Sequence, residues 1–329
     1  MDSLNISKKV ILKQPYLVVA WPGMGEVAFK AANYLIDELK AVEFSSLASE
    51  GFFYSTASVI SKGILDVPAL PQGKFYYWKN PAAKRGSAGK HDLIIFLSNA
   101  QPDLSKADSY VKIIIRLAKS LGVKTVVSFA SMPQAIDHTQ EARVWFAATD
   151  EKTKESLKKY NFSLLEDGQI SGMNGLFLGI AKKSGLKGFC LLGDIPLYTI
   201  QIENPKASAA VLEGLGKILG IQINLGPLAE QSKQMEDEIN KLLEYLKLGP
   251  AGQTSPIGEE EVELIKKTLS QLTKLPASVK EKIEKLFEES RRDITKANEL
   301  KVELDNWNVY KEYEDKFLDL FRKNKEKGN

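Results

Sequence analysis

The residues that most often carry metal and acid–base chemistry are scarce in this sequence. Among 329 residues there are one cysteine, Cys190, and two histidines, His91 and His138. A lone cysteine excludes an internal disulfide framework and fits a reducing compartment. No grouping of His, Cys and carboxylates has metal-ligand spacing, so neither a metal nor another cofactor is expected. A phosphate-cradling GxxxxGK[ST] loop and a GxSxG nucleophile elbow are missing as well. Charge of one sign is also lacking. Forty-five Lys and Arg against 42 Asp and Glu leave a net +3, which draws the chain to neither nucleic acid nor anionic lipid. No apolar run reaches bilayer-spanning length, and the polar opening MDSLNISKKVILKQP does not read as a signal peptide. A cytoplasmic protein with no nucleic-acid or membrane partner is the expectation.

What is present changes character near Pro227. Before it, short apolar runs alternate with helical patterns. Tyr16–Trp21, Leu93–Leu97, Val123–Phe129, Val144–Ala148 and Phe189–Leu192 read as strands, and the aromatic runs Phe52–Tyr54 and Phe75–Trp78 as two more. Helices are expected from about Glu26, over Ser109–Leu121 with Gly122 as its stop, over Glu151–Tyr160 behind an Asp150 cap, over Gly175–Lys183 and over Ala207–Leu219. This alternation predicts an α/β domain with a largely parallel sheet covered on both faces, its functional loops at the carboxyl edge. After Pro227 the chain is rich in Lys and Glu, with apolar stripes at helical spacing. One stripe is Met235, Ile239, Leu242, Leu243 and Leu246; others are Val262 to Leu272, Val279 to Phe287, and Leu300, Leu304, Trp307, Tyr310, Phe317 and Phe321. The stretch at 248–258 reads as a linker. Ile239, Leu243, Leu246, Trp307 and Phe317 are candidate interface residues, because each stripe must bury against something.

The turn Pro22-Gly23-Met24-Gly25, between a strand and a helix, is the most suggestive element for a ligand. Glycine lets backbone approach closely, and a helix N-terminus favours an anion. The dinucleotide fingerprint fails at Phe29 and Lys30, where its third glycine would stand, so a steric need for glycine is the plainer reading. Polar segments follow the strands as expected loops: Asn99-Ala-Gln101-Pro, Ser131-Met-Pro, Ser171-Gly-Met-Asn174-Gly and Gly193-Asp194-Ile-Pro-Leu-Tyr. Gly23, Gly25, Asn99, Gln101, Asn174 and Asp194 are therefore the candidate ligand-binding residues. They offer amides and one carboxylate rather than an obvious catalytic base, and no catalytic residue is assigned. His91 and His138 read as polar surface, Cys190 as a buried structural thiol, and 79–90 as a basic loop.

These segments, in this order, resemble the PAC2 family, named for the proteasome assembly chaperones. The likeness rests on Pro-Gly-Met-Gly-Glu-Val-Ala at 22–28, Ser-Lys-Gly-Ile-Leu-Asp-Val-Pro at 61–68 and the strand ending in Asn-Ala-Gln-Pro at 93–102. It continues in Ile-Ser-Gly-Met-Asn-Gly-Leu at 170–176, Gly-Asp-Ile-Pro-Leu-Tyr at 193–198 and Asn-Pro-Lys-Ala-Ser at 204–208. It implies a three-layer α/β/α domain of the nucleoside-phosphorylase type over 10–228, followed here by a helical C-terminal extension over 229–329. It also implies homo-oligomers and, for some members, proteasome subunits as partners. Other members carry an ATP-grasp or carboxylate-amine ligase-like label. Chaperones of this kind can dock through a terminal hydrophobic-Tyr-any tripeptide; this chain ends Glu-Lys-Gly-Asn, which departs from that pattern. The leading expectation is a non-enzymatic assembly factor or scaffold. The alternative is a nucleotide-, nucleoside- or phosphate-binding protein, or a ligase-like enzyme, using the glycine-turn edge.

Overall fold

The computed structural model describes residues 4–55, 58–81, 91–248, 277–306 and 309–325. Its centre is the apolar run that the sequence marks first, β2 (Tyr16–Ala20). Parallel neighbours flank it, β7 (Leu93–Ser98) on one side and β8 (Thr125–Gln134) on the other. β8 in turn pairs in parallel with β11 (Lys187–Pro196). Strands buried on both faces need continuous apolar sequence, and β7 is buried at every position.

Antiparallel pairs extend this parallel centre on both sides, and one further parallel pair, β9 (Val144–Ala148) with β10 (Ser163–Leu164), closes the far edge. β6 (Gly73–Trp78), β3 (Val42–Leu47) and β1 (Leu4–Ile6) follow β7; β9 and then β10 follow β11. The nine-stranded order is β1-β3-β6-β7-β2-β8-β11-β9-β10. It is a mixed, mostly parallel central sheet with helices on both sides.

The pleat assigns the two cores. Leu17 and Val19 join α2 (Ala107–Ser120) and α4 (Met173–Lys183) in one cluster. Val18 and Ala20 join α1 (Val27–Glu38) and α5 (Pro205–Leu219) in the other. The helical faces match. On α2, Tyr110, Val111, Ile114, Ile115 and Ala118 are buried at three- and four-residue spacing. The connection leaving β2 runs through α1 on one face, whereas α2, which leads into β8, lies on the other. β2 and β8 therefore flank a topological switch point, where open α/β sheets form a crevice at the carboxyl ends of their strands.

Local signals hold at several ends. Asp150 caps α3 (Glu151–Lys158) by accepting from the Thr153 N–H, and Gly122 stands beyond α2 with φ +81°. Three expectations need correction. Phe52–Tyr54 is not a strand but a turn with a single bridge between Glu50 and Phe53. Its aromatics are used for packing, with Phe52 and Phe53 set edge-on to Tyr110 at 5.0 and 5.8 Å between ring centroids. The segments Ser131–Pro133 and Gly193–Pro196 are strand rather than loop, because each is the other's partner, from Ser131 opposite Gly193 to Gln134 opposite Pro196. A hairpin that the sequence reading did not resolve, β4 (Val59–Ser61) and β5 (Ile64–Asp66), turns at Lys62 and Gly63, both at positive φ.

In the C-terminal part, α6 (Gly226–Leu248) packs on α5 and lends Leu228 to the second cluster. The helices α7 (Ala277–Arg292), α8 (Ala297–Asn306) and α9 (Tyr310–Lys325) gather Ile283, Phe287, Leu300, Leu304 and Phe317 into a third. The stripe Val262 to Leu272, the 249–258 part of the expected linker, Trp307 and most of the basic loop lie outside the described residues, as does the side chain of Leu246.

Candidate functional site

At the carboxyl end of β2 the chain leaves the sheet through Trp21-Pro22-Gly23, and Asn174 meets it there. Its amide accepts from the Trp21 N–H at 3.0 Å and donates to the Trp21 carbonyl at 3.0 Å. Gln101 braces the next residue, donating to the Pro22 carbonyl at 2.8 Å and accepting the Met173 N–H at 3.2 Å. Gly175 allows this first turn of α4 to sit close, since a Cβ there would collide with the Ile170 carbonyl. Gly25 has φ +61°, the left-handed region that glycine tolerates, and exchanges backbone bonds with Ile200 and Asn204 at 2.8 Å each. Asn99 holds the Gln72 N–H at 2.9 Å.

Asp194 is the buried charge of the region, 1% exposed. It accepts from Trp145 Nε1 at 2.6 Å and from Arg143 Nε at 2.9 Å, and its own N–H donates to the Arg143 carbonyl at 3.0 Å. A buried carboxylate needs such partners. The Arg143 guanidinium lies 5.5 Å from the Trp145 ring centroid, so the two side chains form one plate backed by Asp194.

These elements enclose a cavity of about 460 Å³. Gly23, Gln101 and Asn174 line it; Gly25, Asn99 and Asp194 do not, and Asp194 reaches it only through Arg143 and Trp145. Met132, Leu165 and Ile170 supply an apolar wall, and Ser131, Arg143 and Asp167 its polar points. Arg143 and Trp145 were not singled out from the sequence. The available signal was their spacing of two along a strand pattern, which puts both on one face.

His138 corrects the surface reading: it is 8% exposed. Nδ1 lies 2.8 Å from the Tyr198 hydroxyl and Nε2 lies 2.9 Å from Asn240 Oδ1 on α6. Lys206 of α5 donates to the His138 carbonyl at 3.0 Å and pairs with Glu236 of α6 at 2.5 Å. Together these bonds clamp α6 to the domain. His91 is half-buried, with Nδ1 2.8 Å from the Gln14 carbonyl and its ring tilted on Tyr16. Cys190 is wholly buried, and burial pushes its thiol up to about 12, which suits packing rather than nucleophilic work. Among the described residues no group of three or more His, Cys, Asp or Glu could hold a metal ion, and no helix is long and apolar enough to cross a membrane. Of the interface candidates, Leu243 is buried within the chain, Ile239 is half-buried, and Phe317 belongs to the third cluster.

Comparison with known proteins adds the following. The PAC2 family matches residues 17–243. An uncharacterised protein of Methanocaldococcus jannaschii is 28% identical over 258 residues, covering 77% of this chain and 93% of that one. The structure of Pyrococcus furiosus PbaB, an archaeal proteasome activator, is similar with a TM-score of 0.62 at 28% identity, covering 74% of this chain and 99% of that one. P. furiosus PbaA, an archaeal homologue of proteasome-assembly chaperone, is similar with a TM-score of 0.55 at 25% identity, covering 73% and 96%.

Proposed function

The chain belongs to the PAC2 family, and from that premise we propose that it is a non-enzymatic assembly factor or scaffold, acting in the cytoplasm through contacts with itself and with proteasome subunits. The observation that carries this reading is the likeness to an archaeal proteasome activator along 99% of that protein's chain. The chemistry of the sheet edge agrees with it. Asn174, Gln101 and Asn99 spend their amides on main-chain groups, as braces do, and the buried Asp194 is spent on Trp145 and Arg143.

The surface also offers a place for a partner. On the β4–β5 hairpin Val59, Ile60, Ile64 and Leu65 are all exposed, and Val67 follows them. Five large apolar side chains on one small projection are costly to leave in water, and a protein contact would relieve that cost. The helical extension beyond the family match would supply a second contact surface.

The test is direct. Tagged full-length chain is mixed with purified proteasome α-subunits and the mixture is resolved by size-exclusion chromatography and native mass spectrometry. A complex containing α-subunits is expected. The double variant Ile60→Asp, Leu65→Asp alters only exposed positions, so its melting temperature should hold while the complex weakens. A wild-type chain that elutes without α-subunits would sink the proteasome reading.

A further inference from the structure

The cavity at the switch point carries polar groups that the bracing network does not use. Arg143 commits only Nε, to Asp194; none of the described residues engages its terminal nitrogens. Their planar fork, held in place by a carboxylate that is itself buried, is shaped for a second carboxylate. The first turn of α4 opens on the cavity through Asn174, with Ser171 just ahead of the helix, and its dipole favours the same sign of ligand charge.

A second charge of opposite sign sits on the rim. Asp167 lines the cavity, is exposed, and is paired with none of the described residues. Glu303 of α8 also lines the cavity and is engaged in an interaction of its own. With Asp194 neutralising Arg143, a phosphate or nucleotide would meet Asp167 and Glu303 as repulsive neighbours. A ligand that carries both signs avoids that conflict. Between the two poles lies the apolar wall of Met132, Leu165 and Ile170 beside the Trp145 ring.

We propose that this cavity binds a small zwitterion of the amino-acid type, its carboxylate on Arg143, its ammonium on Asp167 and its apolar side chain against Met132, Leu165, Ile170 and Trp145. A volume of about 460 Å³ admits either a free amino acid or a dipeptide. Neither source is needed for the assembly reading, which stands on different residues.

Calorimetry on the full chain tests it with four probes. These are L-leucine, L-leucyl-L-leucine, 4-methylpentanoate, which lacks the ammonium, and 3-methylbutylamine, which lacks the carboxylate. At least one of the first two is expected to bind at millimolar concentration or below, and which of them binds more tightly identifies the source. Each single-charge analogue should bind about tenfold more weakly or worse, the scale of one charged hydrogen bond lost. Asp167→Asn, an exposed change that leaves the fold intact, should bring the zwitterion down to the level of 4-methylpentanoate and leave the latter unweakened. Arg143→Lys, which keeps the charge and loses the planar fork, should weaken the three carboxylate-bearing probes and not the amine. No heat from either zwitterion would overturn the proposal. So would a zwitterion that binds no more tightly than 4-methylpentanoate, or an Asp167→Asn chain that binds that zwitterion as the parent does.

Discussion

Asn174 takes both main-chain hydrogen bonds of Trp21, a residue 153 positions earlier, and so extends β2 by one pairing beyond its last strand neighbour. One side-chain amide does the work of a strand residue here, because an amide alone presents a donor and an acceptor side by side. The pair fixes where the chain leaves the sheet, and with it the glycine turn and one wall of the cavity.

Asn174→Asp is the sharpest test of that relationship. The substitution keeps the shape and replaces the donor with a second acceptor facing the Trp21 carbonyl. A loss of about 2–4 kcal/mol in urea unfolding is expected, the cost of a buried bond replaced by repulsion. A change below about 0.5 kcal/mol, the range of ordinary surface substitutions, would remove the role assigned to Asn174.

The clamp on α6 makes a second prediction. Asn240→Leu deletes the acceptor 2.9 Å from His138 Nε2 and leaves a buried imidazole nitrogen without its partner. About 1–3 kcal/mol should be lost. The loss should be local: hydrogen exchange in α6 should speed up while β2, β7 and β8 stay protected. Uniform exchange loss across the sheet would contradict a clamp.

Glu26 supplies a pH-dependent prediction. Burial raises its carboxyl above the usual range, and nearby Glu203 adds to the rise. An acid whose folded-state value is raised is stabilising to the fold while protonated, and that contribution is lost as pH rises through its folded value. At neutral pH the ionised Glu26 therefore costs stability. Glu26→Gln should raise the melting temperature at pH 7, and the gain should shrink as pH falls into the carboxylate range. A gain that persists unchanged in acid would point to something other than ionisation.

Much of this was legible in the sequence wherever a local pattern fixes structure. Tyr16–Ala20 and Leu93–Ser98 are apolar at nearly every position because both of their faces are covered. Asp150 announces α3 because a cap bonds only three residues ahead. The carboxyl edge was expected from strand–helix alternation, and Gly23, Gln101 and Asn174, taken from the glycine turn and the polar segments, line its cavity. What stayed hidden depends on distant partners. His138 reads as surface because Tyr198 and Asn240, the side chains that bond its two ring nitrogens from other elements, are 60 and 102 residues away. Ser131–Pro133 and Gly193–Pro196 read as loops because each becomes a strand only beside the other. Phe52 and Phe53 carry strand-forming side chains, yet packing on Tyr110 outweighs that preference.

The apolar stripe of α6 separates stability from association. Leu243 is 7% exposed and its neighbour Leu242, about 100° round the helix, is 50% exposed, so the buried face ends between them. Leu243→Asp places a charge in a buried site and should cost about 3 kcal/mol or more. Leu242→Asp should change stability by less than about 0.5 kcal/mol. If α6 also joins chains to one another, only its outer face is free to do so, and Leu242→Asp should reduce the mass seen by light scattering at an unchanged melting temperature. If Leu242→Asp leaves the mass of the parent unchanged, α6 serves only its own domain, and self-association must run through another surface such as the β4–β5 hairpin.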